Sequence, residues 1–517
     1  MSRQARFVPP EAEKGRLPAS HQAFDAPVEE WAEINGRTDD DVALLPGDGR
    51  LGDEQIPLAQ RRALAAQVGE IQGNRQVQRM VAHLKPGQHR GALQRFASPE
   101  HEQLGSAGAS QALGHILTDI NIGTDDKPEY LPYGQMVALA GDYFIDLKEM
   151  HDLAASQNGR DQIRWARWKA LGGTEPAVGD DIKKAVMDRY FTLAANNISH
   201  FSAGGTARNS YEEYHRQALD EAFRAGLVLV DAHGRDLWNM ALTTEAFGNH
   251  YLTDMFSAGH VRTPRADIKA WYAIRFPNSI NMFVTYMATR MKAFLKHKHP
   301  IANFFGFVPS EKKLEKLIRE IGGPALNAFS LGDIVSLGFH NRDNVQGIQV
   351  ISDVDPSGVA VPGGFHWTGL GDSNLNRSPT TRDMAVAAVA TSLKDLVAVK
   401  AAGEKIRDAP STAHIDTKAE YAQAVAKVTP FAAERFIPHA DYAAGNVTMD
   451  WQWGTFNAEM RAAVDDAIKT DVADTLNDKA KDQSNADKKA ALEDFAAHLK
   501  ADGIKAIEAA LGVPAGP

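Results

Sequence analysis

NHYLTDMFSAGHVRTPR, residues 249–265, is the stretch from which the rest of the chain can be read. His250 and Asp254 stand four apart, so on a helix both side chains leave one face, one turn from each other. A neutral imidazole and a carboxylate placed in this way can meet one cation. The helix is expected to end near Gly259, leaving His260 just past its terminus, within reach of the same cavity or of a second ion. A carboxylate between two histidines suits a bridge between two metals, an arrangement used in phosphoester hydrolysis. Taken alone, a His–Asp pair at this spacing is the usual pattern of a surface ion pair. The apolar flanks Tyr251, Leu252, Met255 and Phe256 place it beside a core, where metal coordination is one way to satisfy a buried polar group.

Working outward, helical patterning dominates. DDIKKAVMDRYFTLAANNI, SYEEYHRQALDEAFRAGLVLVDA, SINMFVTYMATRMKAFLKHK and PSEKKLEKLIREIGG each put apolar residues on one face. GIQVISDV followed by GVAVPGGFHW, flanked by Gly and Pro, reads as a β-hairpin. The expected fold is therefore mainly α, with a multi-helix core over residues 111–400, one small hairpin and an Ala-rich helical C-terminal extension over 401–517. Residues 1–55, rich in Pro, Gly, Asp and Glu, read as a disordered lead-in. Residues 56–110 read as an amphipathic helical hairpin followed by a linker, FASPEHEQLGSAGAS.

Composition narrows the chemistry. The 517 residues contain no cysteine, which removes disulfides and every thiolate metal site, so a metal must sit on His, Asp and Glu. The net charge of −10 and pI near 6.0 give no general attraction for nucleic acid. No stretch approaches the about 20 apolar residues that span a bilayer, and the first residues lack the apolar core of a secretory signal. The expectation is synthesis in the cytoplasm, with export by a signal-independent route left open. Neither a Walker loop nor a Gly-x-Ser-x-Gly elbow is present.

The order and both gaps of His250, Asp254 and His260 resemble the central motif of the bacterial zinc-dependent phospholipases C and the related fungal single-strand nucleases. Upstream, His200 in NISHF looks like that family's earlier histidine ligand. The resemblance implies two or three zinc ions that hold a phosphodiester and activate a water. It also implies a further aspartate before His200. Asp142 in ALAGDYF and Asp188 in VMDRYF both qualify; Asp142 is preferred for its Gly-Asp-aromatic turn, as ligand or as general base, although Asp188 sits nearer the family's usual gap. His115 in ALGHILTDI, with Asp119 one turn on, would be the early helix histidine.

Two departures stand out. The family's His and acid four apart do not follow His260, and His340 with Asp343 is the nearest candidate. The family's mature N-terminal Trp ligand has no counterpart beside Met1, so one ion site must be rebuilt or missing. Arg262 and Arg265 are candidates for a substrate phosphate, or else for a salt-bridged loop. His215 reads as a core or boundary histidine, His297 and His299 as a solvated helix end, and His366 as a cleft or packing residue.

GNRQVQRMV, residues 73–81, resembles the preamble of cargo and toxins of extracellular contractile injection systems. Together the two resemblances imply a metal-dependent phosphodiesterase, an injected effector acting on phospholipids. A single-strand nuclease on the same scaffold and a non-catalytic injection-system component are the alternatives.

Overall fold

A computed structural model describes residues 98–512, apart from 116, 118–119, 125, 196, 229–231, 301–307, 329, 372–373, 410–414, 429–431, 447 and 482. The chain divides into units of residues 1–73 and 74–517, and everything described lies in the second. The expected lead-in at 1–55, the helical hairpin and the 73–81 preamble fall outside the described residues. None of the described helices is long and apolar enough to cross a membrane.

The fold is mainly α, as the sequence leads one to expect. Five helices, Ser98–Leu113, Tyr133–Leu139, Ala207–Leu227, Ala232–Asp254 and Pro379–Arg407, supply most of one apolar core. Leu104, Val137, Leu219, Phe247, Leu252, Val389 and Leu393 are buried in it. Full burial of a side chain of this size contributes about 1.5–3 kcal/mol. A second core gathers Ile268, Met287, Leu317, Val335 and Phe339 with Val464, Phe495 and Ile507 from the last helices.

Helix ends follow local chemistry. Ser330 and Asp333 form a reciprocal capping box that starts Leu331–Gln346. Asp146 caps Leu147–Ala154 by accepting from the Glu149 amide, and Pro379 opens Pro379–Arg407 at a position where its missing N–H costs nothing.

The hairpin forms as expected: Ile348–Val354 pairs antiparallel with Ala360–Gly369, with Val350 opposite Trp367. A short third strand, His439–Ala440, adds to the other edge opposite Val350 and Ile351. Its two residues carry no periodicity from which to foresee it.

Two stretches differ in structure from their reading in the sequence. The stretch read as a linker, FASPEHEQLGSAGAS, is a helix from Ser98 that buries Leu104 and Ala109 in the first core. Its low apolar content hid it, because small residues there allow close packing instead of forming an apolar stripe. At the other end, Pro379–Arg407 runs continuously through residue 400, and the helices of 458–511 pack into the second core.

Candidate metal centre

Six separate segments bring their polar side chains to one buried point. His101 comes from Ser98–Leu113, Asp142 from the turn after Tyr133–Leu139, and His200 from the 3-10 turn Asn197–His200. His250 and Asp254 occupy the last turns of Ala232–Asp254, His260 the short helix Ala258–Arg262, and His340 the helix Leu331–Gln346. All seven residues are at most 2% exposed. The helix ends at Asp254, earlier than the expected Gly259, and His260 stands on a new helix begun at Ser257. Two backbone features hold this together. The Ser202 amide donates to the His260 carbonyl at 3.0 Å, and Gly141 adopts a φ of +68° directly beneath His250. A Cβ on Gly141 would lie 2.6 Å from His250 Cδ2, so only glycine permits this approach.

Hydrogen bonds fix which ring nitrogens face the centre. His250 Nδ1 donates to the Val137 carbonyl at 2.9 Å, which in the neutral ring leaves the lone pair on Nε2. The hydroxyl of Thr253 lies 2.8 Å from the Asn249 carbonyl and 2.9 Å from the His250 carbonyl, so its one hydrogen is committed there. Toward His101 Nδ1, at 2.8 Å, Thr253 therefore accepts, and His101 also carries its lone pair on Nε2. These two lone pairs converge on the Asp254 carboxylate, at 3.4 Å for His250 and 3.5 Å for His101. Electron pairs facing a carboxylate repel unless a proton or a metal ion lies among them, and an N–H contact on the far nitrogen is the usual support of a ligating histidine.

The spacings agree with that reading. Donors about 2.1 Å from one tetrahedral ion stand about 3.4 Å apart. The Nε2 of His250 is 3.2 Å from His200 Nδ1 and 3.8 Å from Asp142 Oδ1, and His260 Nδ1 is 3.2 Å from Asp254 Oδ1. His200 Nδ1 is closer to Asp254 Oδ2, at 2.6 Å. Two overlapping sets, His101–His250–Asp254 and Asp142–His200–His250, could each hold an ion, as alternatives, because both use the one free nitrogen position of His250, Nε2. The donors are nitrogen and oxygen only, which suits zinc among other divalent metals.

The remaining candidates separate cleanly. Asp188, half buried, pairs with Lys184 at 2.6 Å, so Asp142 is the aspartate at the cluster. His115 does not join: it is exposed, with Nδ1 3.0 Å from the Leu113 carbonyl, because it follows the end of its helix. Asp119 lies outside the described residues. His340 packs against the His260 ring at 4.9 Å, and its own nitrogens face Asn341 Oδ1 at 3.1 Å and Asn344 Nδ2 at 3.2 Å. It belongs to neither of the two donor sets found among the described residues.

Arg262 and Arg265 each meet a buried aspartate. Arg262 grips both oxygens of Asp343, at 2.5 and 2.8 Å, and Arg265 holds Asp333 at 2.9 Å, all four residues being buried. Burial raises the Asp343 carboxyl above its ordinary range despite Arg262 and Arg342. For Asp333 burial acts in the same direction, but Arg265 and Lys269 outweigh it and the carboxyl is held low. His299 meets Asp487, and His366 meets Asp441, both near the surface.

His101 is the residue that the sequence reading missed. It sits in a stretch without apolar periodicity, far in sequence from the other donors, and the only local signal was a Pro-Glu-His run before small residues. Comparison of the chain with family models, with curated proteins and with solved structures finds no match.

Proposed function

We propose that the chain is a metal-dependent phosphoric diester hydrolase, resembling the zinc phospholipases C, with phospholipid or another phosphodiester as substrate. The observation that carries the proposal is the convergence of His101 Nε2 and His250 Nε2 on the Asp254 carboxylate, with Asp142, His200 and His260 beside them. When bound, zinc would hold a phosphate oxygen and acidify a water. Asp254 has His101 and His260 near Oδ1 and His200 and His250 near Oδ2, and would be the carboxylate that holds the metal. Asp142 stands within the donor set, so it serves as a ligand in this reading, with the role of general base left to another group. The net charge of −10 makes nucleic acid the less favoured substrate.

The test is hydrolysis by the zinc-loaded full chain of bis(p-nitrophenyl) phosphate, of phosphatidylcholine vesicles and of single-stranded DNA. Turnover that disappears in Asp254→Asn supports a hydrolase, and the preferred substrate separates lipase from nuclease.

A second reading is a closed, structural metal centre in a non-catalytic protein. It is favoured by the near-complete burial of every donor and by the pairing of Arg262 and Arg265 with aspartates. Bound zinc with no hydrolysis of any of the three substrates would select it. Delivery by a contractile injection apparatus rests on residues 73–81 alone. Deletion of residues 56–97 should then abolish packaging and leave the metal content unchanged.

A further inference from the structure

A second buried set of charged groups ties three helices together away from the metal centre. His215, on Ala207–Leu227, approaches Glu245 of Ala232–Asp254 with its Nδ1 2.8 Å from Oε2. On the other side of the ring, Nε2 is 3.7 Å from Oδ2 of Asp395, on Pro379–Arg407. His215 and Glu245 are 0% exposed and Asp395 8%. Ser392 hydrogen-bonds the second oxygen of Glu245, and Tyr211 lies 2.9 Å from the Ser392 hydroxyl. The set is no nucleophilic triad, since Ser392 and Glu245 both address Nδ1 and Ser392 is wholly buried. It has the form of one cation between two carboxylates, each carboxylate on a different neighbouring helix.

We propose that His215 is an imidazolium that bridges Glu245 and Asp395 and thereby sets the position of the helix carrying His250 and Asp254. Glu245 lies five residues before His250 on one continuous helix, so its placement against the two neighbouring helices is transmitted to the ligands. That consequence rests on the reading of the cluster as a metal site; the charge state of His215 does not.

Burial disfavours a charge on His215, but Glu245 and Asp395 outweigh it and lift the group to about 9. The other ionisable groups nearby do not supply this charge. Tyr211 is pushed well above its ordinary range by burial and by Glu245, and it stays neutral. Glu434, beyond Tyr211, is paired with Arg208. Because the folded value lies above the ordinary 6.5, the stabilisation is complete below about pH 6.5 and declines as pH rises. It is lost once pH passes about 9.

The test uses the full chain with labelled histidine, metal-free and zinc-loaded. Imidazole nitrogen NMR, with His215 assigned from its loss in His215→Gln, should show both ring nitrogens protonated at neutral pH. The melting temperature of the wild type should fall across the 6.5–9 window more steeply than that of His215→Gln. Asp395→Asn, which keeps the Glu245 contact, should lower the His215 titration midpoint and serves if His215→Gln does not fold. Zinc affinity of whichever variant folds should drop by about two- to thirtyfold with stoichiometry unchanged. A neutral His215 at neutral pH, or equal melting slopes, overturns the bridging charge. Unchanged zinc affinity overturns the positioning role. If the wild type binds no zinc the metal reading fails, while the NMR and melting results still decide the charge.

Discussion

His101 Nδ1 lies 2.8 Å from the hydroxyl of Thr253, and this one hydrogen bond keys the first described helix to the last turn of the helix that bears Asp254. The contact fixes the tautomer of His101 and turns its Nε2 toward the Asp254 carboxylate. Thr253→Val keeps the shape and removes the acceptor. Zinc affinity measured by titration calorimetry should fall by about 10–100-fold at unchanged stoichiometry. An unchanged affinity would show that the tautomer is set by something else.

The same geometry ranks two histidines that the sequence places only fourteen residues apart. His101→Ala should lower the zinc retained after dialysis, whereas His115→Ala, at an exposed position, should leave it unchanged. The reverse ranking would restore His115 as the early ligand.

How much of this was legible beforehand differs by element. His250, Asp254, His260 and His200 could be proposed because helix periodicity and short gaps relate them, and the structure brings all four together. The hairpin followed from β-branched residues between glycines. His101 could not be proposed on those grounds, since its helix buries Gly105, Gly108 and Ala109 where an apolar stripe would have given it away. Arg262 and Arg265 were visible as cations near the motif. Their partners Asp343 and Asp333 come from a distant helix, and local spacing carries no information about such pairs.

Gly141 offers a test of close packing at the centre. Gly141→Ala adds a Cβ beneath His250 at a positive φ. Urea unfolding should show a loss of about 1–3 kcal/mol, together with weaker zinc binding. Full stability and full zinc content would mean that the turn relaxes freely.

Arg262→Met removes one of the two arginines that meet buried Asp343. Stability should fall by about 1–3 kcal/mol, because Asp343 would lose its two-point partner and keep only the single contact from Arg342. If stability were retained and only the KM for a phosphodiester rose, Arg262 would have to be returned to substrate binding.

The most direct measurement is elemental analysis of the purified full chain after zinc loading and dialysis, beside His250→Ala and Asp254→Ala. The account predicts zinc bound in the wild type through His250 Nε2, on the His101–His250–Asp254 or the Asp142–His200–His250 set, and lost in both variants while each still folds. A wild type that holds no zinc or other divalent metal, or variants that retain it in full, would contradict the claim that these residues form a metal centre.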